Sequence, residues 1–218
     1  MKKHLFSLMV AGALAACSNT PPAPDWQMNA KASAERATQA WLTGEQRVEA
    51  AEFARAQREV AATGRPDLAA QVELLRCAAR VAALELGPCT GFDALAADAT
   101  AAQQAYARYL ASLSTAADAA LLPEVHRPLA AGSASPDATL AAIADPLSRL
   151  VAAGVLFQRG QATPGVIGQA IDTASAQGWR RPLLAWLKVQ QARAQGAGSS
   201  DELGRIQRRI DLIAPSTR

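Results

Sequence analysis

The 218-residue chain carries few side chains that perform chemistry readily: three cysteines, Cys17, Cys77 and Cys89, and two histidines, His4 and His126. A thiol can be acylated, oxidised to a disulfide or bound to a metal, and an imidazole can move a proton or ligate a metal ion. No histidine lies near Cys77 or Cys89 in sequence, so the spacing points to no zinc site. No metal and no cofactor are expected. His126 stands in "LPEVHRPL" between two prolines, with Glu124 and Arg127 close by. A lone histidine in such a stretch reads as a surface or capping residue rather than a proton shuttle. The chain has no Gly-x-Ser-x-Gly elbow, no His-Glu-x-x-His, no phosphate loop and no dinucleotide fingerprint. Glu49 and Glu52 form a carboxylate pair, but with Arg55 and Glu59 they read as the solvated face of a charged helix. No catalytic residue is assigned, and the chain is not expected to be an enzyme.

Two clusters have the composition of binding surfaces. "GWRRPLLAW" brings together Trp179, Arg180, Arg181 and Trp186, types enriched at interaction hot spots. The plainer arrangement, which we expect, has both tryptophans sealing an inter-helix core while the arginines stay in water. "RIQRRI" places Arg205, Arg208 and Arg209 beside Ile206 and Ile210, where they could meet anionic lipid or a partner. A basic last turn also suits the helix dipole.

The first residues speak to location. Lys2, Lys3 and His4 precede an apolar run, Leu5 to Ala13, that is too short to cross a bilayer as a permanent helix. That layout is a secretory signal peptide. Leu14-Ala15-Ala16-Cys17 then puts a thiol at the cut site, and these four residues resemble the lipobox of bacterial lipoproteins. The resemblance implies cleavage after Ala16, a diacylglyceryl thioether on Cys17 and an acylated amino terminus. Two or more acyl chains make attachment to a bilayer stable, where one holds only reversibly. Family sorting rules retain Asp-bearing lipoproteins at the inner membrane, so Ser18 implies the outer membrane, facing the periplasm. Residues 1–16 are thus expected as signal peptide, 17–29 as a lipidated Pro-rich tether, and 30–214 as the folded domain. The precursor balance of 22 basic and 19 acidic residues is +3; removing Lys2 and Lys3 leaves +1. A near-neutral mature chain has no electrostatic reason to bind nucleic acid.

Export changes the meaning of Cys77 and Cys89, because an oxidising compartment favours a disulfide. Geometry sets a condition. A helix running unbroken from Pro66 to Gly87 would end about 15 Å beyond Cys77, out of reach of Cys89. Either the helix ends by Leu84 and "LGPCTG" folds back, or no bond forms. We expect the disulfide; a small core thiol at Cys77 and a free thiol at Cys89 is the alternative.

Helices must position all of this. About a quarter of the chain is alanine, the best helix former, and no alternating β-branched run occurs. Asn29 can cap a helix toward Ala62 and Thr63-Gly64, with a break at a possible Thr43/Gln46 capping box. Pro66 opens a second helix with two apolar stripes, Leu68-Val72-Leu75-Ala79-Ala82-Leu86 and Leu74-Cys77-Val81-Leu84, which implies burial on two sides. Thr90/Asp93 is expected to open a helix whose inward face runs from Leu95 to Leu113, and Thr115/Asp118 a shorter one. Ser135-Pro136, Asp145-Pro146 and Thr163-Pro164 are start signals, followed by helices over 182–195 and 200–213. The fold class is all-α: one domain of about eight antiparallel helices, a solenoid-like array of hairpins. Arg180 to Ile213 spans the length of a tetratricopeptide unit and resembles one loosely, with Trp186 and Pro215 near expected places but the intervening signature missing.

These readings favour a non-enzymatic envelope scaffold that binds the bilayer through Cys17 and another envelope protein or peptide through its helical surface. A wall-degrading enzyme would need two converging carboxylates, and an apolar-ligand carrier a large internal void.

Overall fold

The computed structural model describes residues 22–214. Leu14 to Cys17, the first part of the tether and Pro215 lie outside them. Among the described residues the chain is all-α, one compact helical domain without strands. Its helices are α1 (Asp25–Thr43), α2 (Gln46–Ala61), α3 (Pro66–Ala82), α4 (Thr90–Asp93), α5 (Ala101–Leu110), α6 (Arg127–Ala130), α7 (Pro136–Ala141), α8 (Pro146–Gln158), α9 (Pro164–Ala176), α10 (Arg180–Gly196) and α11 (Ser200–Ile213). Short 3-10 turns cover Ala96–Asp98, Ala116–Leu121 and Glu124–His126. Eight of the helices reach ten residues or more.

Local chemistry accounts for most boundaries. Asp145 accepts from Ser148 N at 2.7 Å and Thr163 from Val166 N at 3.0 Å, so both Pro-marked starts are N-capped. Three expectations are corrected. The first helix begins at Asp25, not after Asn29: the Pro24 carbonyl accepts from Gln27 N and Met28 N, and Asp25 faces the positive end of the dipole. The break at 43–46 occurs, but Thr43 does not cap forward. Its hydroxyl donates back to the Gln39 and Ala40 carbonyls, and the turn is made by Gly44 at φ 91°. The helix expected from Thr90 toward Leu113 divides, because the capping box that forms is Thr100/Gln103, which opens α5. Thr115/Asp118 does form its box, with Thr115 N donating to the Asp118 carboxylate at 2.8 Å.

α3 lies at the centre. One side packs Val72, Leu68 and Leu75 against Ala34, Phe53 and Val60 of the α1–α2 hairpin. The other carries Leu74, Cys77, Ala78 and Val81 into the main core with Tyr109, Leu150, Val155 and Trp186. Burial on two sides, expected from its two stripes, is what α3 has. α8 crosses it so closely at Gly154 that a Cβ there would collide with the Val81 carbonyl oxygen. Cross-links follow hairpin register: Arg36–Glu52 at 2.9 Å, Gln57–Glu73 at 2.8 Å and Gln191–Gln207 at 2.7 Å. The stack then closes. Trp179 Nε1 donates to Gln39 Oε1 at 2.9 Å and Arg180 to the Thr43 carbonyl at 3.0 Å, returning α10 to α1. No helix of the described residues is long and apolar enough to cross a membrane.

Candidate functional site

An open groove of about 780 Å³ lies where α3 ends. Its floor is Val81, Phe92 and Leu110, its far wall includes Gln158 of α8, and its two banks are the turns after α3 and α5. α3 stops at Ala82. Leu84, at φ 57°, then reverses the chain, with Glu85 N donating to the Arg80 carbonyl at 2.9 Å and Leu84 N to Val81 at 3.0 Å. The same pair of bonds closes α5: Leu113 N to Arg108 and Ser112 N to Tyr109, around Ser112 at φ 61°. Both are Schellman ends, whose left-handed residue is normally glycine.

Six other helix ends among the described residues obey that rule, at Gly44, Gly64, Gly132, Gly160, Gly178 and Gly198, all with positive φ. The two exceptions sit in the two turns beside the groove, which is lined by their neighbours Glu85 and Leu86 on one side and Ala111 and Leu113 on the other. A left-handed L-residue costs about 1 kcal/mol or more, so the turns are held against their own preference. They present Leu86 and Leu113 to solvent, 40% and 70% exposed. Leu113 was expected on an inward helix face; α5 ends three residues before it. The "SLST" stretch around it is the polar punctuation that marks a turn.

The fold-back required of "LGPCTG" is present, and it brings Cys77 and Cys89 to disulfide distance, with α-carbons 5.9 Å apart. Cys77 is buried and Cys89 half-buried, and both line the groove.

His126 is not a surface residue. It is 2% exposed, its Nδ1 is 3.3 Å from the Tyr109 hydroxyl, and its ring lies 4.9 Å from Tyr109 and 5.9 Å from Tyr106. Burial pushes its pKa down to about 4, partly opposed by Asp145, and pushes both phenols up. Glu49 is also not solvated: it is 4% exposed and pairs with Arg76 at 3.0 Å, while the Arg76 guanidinium lies 4.1 Å from the Phe53 ring centre. Glu52 pairs with Arg36 instead. Asp118 is the other buried carboxylate; Arg108 and the Thr115 amide hold it well below the usual carboxylate range. Each buried carboxylate therefore answers to its own arginine.

The Trp179–Trp186 cluster is an internal seam. Trp186 is fully buried and donates to the Ala82 carbonyl at 3.1 Å, capping the end of α3. Trp179 is buried against α1. Against expectation, the arginines are used internally too. Arg180 binds the Thr43 carbonyl, and Arg181 stacks 4.0 Å from the Trp41 ring centre with Glu85 3.6 Å away. As a surface for a partner the cluster has little left to offer. A cavity beside Trp41 and Phe53 holds only about 10 Å³, the space of one water-sized probe. Among the described residues no group of three or more His, Cys, Asp or Glu could hold a metal ion. No family model, curated protein or solved structure matches the chain.

Proposed function

We propose that this protein is a lipid-anchored, non-enzymatic adaptor of the outer membrane whose groove beside Cys77 and Cys89 receives an extended segment of another envelope protein. One observation carries the groove: among the described residues, helix ends use glycine at every left-handed position except Leu84 and Ser112, whose chain neighbours Glu85, Leu86, Ala111 and Leu113 line it. Backbone strain kept at one place on a surface is a mark of function. Exposed Leu86 and Leu113, beside buried Phe92, Val81 and Leu110, offer apolar contact. Leu14-Ala15-Ala16-Cys17 and Ser18 support the anchor and its membrane. The enzyme reading lacks a converging acidic pair, since Glu49 and Asp118 each bind an arginine. The carrier reading needs far more interior space than the cavity beside Trp41 offers.

Two measurements test the reading. Cells fed radiolabelled palmitate are expected to label the wild-type product and not Cys17→Ser; label on both, or on neither, removes the anchor. A photoreactive side chain in place of Leu113 is expected to capture an envelope protein that the same group in place of Arg55, on the outer face of α2, does not. Equal capture at both positions, or none, removes the groove.

A further inference from the structure

The charge of this near-neutral chain is divided in space. Residues 180–213, the α10–α11 hairpin, hold seven basic and three acidic side chains, a net +4. Residues 22–179 hold twelve basic and sixteen acidic, a net −4. Within the hairpin, α11 is sharply two-sided. Ile206 is buried and Leu203, Ile210 and Ile213 pack on the core. At 100° per residue, Arg205, Arg208, Arg209 and Leu212 fall within a sector of about 100° on the opposite side. All three arginines are exposed, and Leu212 is 86% exposed, more than any other large hydrophobic residue of the described chain. None of the three arginines is ion-paired among the described residues. Asp201, in the first turn, and Asp211, about 60° around the helix from Arg208, are the two exposed acidic residues on this side.

We infer that the outer face of α11 is a docking surface for an anionic phospholipid leaflet. Arginine side chains reach headgroup phosphates with bidentate bonds, while their stems and Leu212 lie against the acyl boundary. A convex helix face with three like charges around one leucine fits a laterally uniform anionic surface. It lacks the concavity that a shaped protein partner would enter. The acidic remainder of the domain is repelled from the same leaflet, so the two halves together set which side of the molecule faces the membrane. This inference does not depend on acylation of Cys17, and its test leaves that cysteine out.

Every buried core residue among the described ones lies between Ala30 and Ile206, so a chain beginning at Ser18 keeps that packed core. That chain is mixed with phosphatidylcholine vesicles with and without phosphatidylglycerol and sedimented. Binding is expected only with phosphatidylglycerol, falling more than about tenfold when salt is raised to roughly 0.5 M. Replacing Arg205, Arg208 and Arg209 together by glutamine is expected to weaken it about 100-fold at unchanged helicity. The triple lysine variant is expected to bind within about fivefold of wild type, and Leu212→Ser to lose about tenfold. Equal binding to both vesicles, or full binding by the glutamine variant, overturns the inference. So does arginine-dependent self-association without vesicles, which would make the acidic half of a second copy the occupant.

Discussion

Burial of His126 against Tyr106 and Tyr109 keeps its imidazole neutral where a solvated one would begin to charge. Its folded pKa, about 4, lies below the unfolded value of about 6.5, so the unfolded chain binds the proton first as pH falls. Stability is therefore complete above about pH 6.5 and declines toward pH 4. Unfolding in urea is expected to show a loss of about 2 kcal/mol between pH 8 and pH 5. His126→Phe should remove that dependence; a variant with the wild-type slope would refute the assignment. Asp118 does not confuse the result, because its contribution is lost only as pH falls from the ordinary carboxylate value of 3.8 toward its depressed folded value, below this window. Nothing local announces the burial: Pro123 and Pro128 mark a loop, and only the packing of α5 over Glu124–His126 withdraws the ring from water. Glu49 was concealed for the same reason, since its partner Arg76 lies 27 residues away. Residue identity showed which groups could react, but not which of them the fold would pair.

Helix starts were legible where the signal is a side chain acting within three residues, as at Asp145-Pro146 and Thr163-Pro164. They were not legible where two chemically similar signals compete, as Thr90/Asp93 and Thr100/Gln103 do over one stretch. The break at Leu84 was anticipated only as a condition for a disulfide, because leucine carries no turn signal and the left-handed bend is imposed by tertiary packing. Two predictions belong to these elements. Reduction of the Cys77–Cys89 pair, or Cys89→Ser, is expected to lower stability by about 3 kcal/mol, the loop-closure value for a separation of this length. An unchanged urea midpoint under reductant would mean that the bond does not form. Gly154→Ala is expected to cost about 2–3 kcal/mol, because the added methyl meets backbone rather than a side chain that could turn away. Gly168, on α9 with open space around its Cβ position, is the control: alanine there should be neutral or slightly stabilising. Equal effects at the two sites would deny that α3 and α8 are in backbone contact.

At the scale of the molecule, closure separates this domain from an open row of hairpins. An open array is stabilised through nearest neighbours and can lose its ends first. Here the first hairpin is held by the tenth helix. Trp179 and Arg180 bind Gln39 and Thr43, while Arg181 stacks on Trp41 from one side and Arg80 lies 5.2 Å from the same ring centre. Trp41 and Leu42 belong to the main core, and only the far half of the α1–α2 hairpin, around Phe53 and Val60, packs in a cluster of its own. Sequence periodicity shows that each helix has an apolar stripe; it does not show that helices 137 residues apart will share one. The expected consequence is cooperative unfolding. In variants that keep only Trp41 or only Trp186, with the other tryptophans as phenylalanine, fluorescence in each variant should report the same urea midpoint as the loss of helicity of that same variant. Trp186→Phe gives up the bond to the Ala82 carbonyl, so the Trp41-only variant unfolds at lower urea, with its fluorescence and helicity midpoints still together. A Trp41 fluorescence transition that precedes the loss of helicity within the same variant would mean that the α1–α2 hairpin peels away as it does from an open repeat, and that the contacts from α10 are too weak to close the stack.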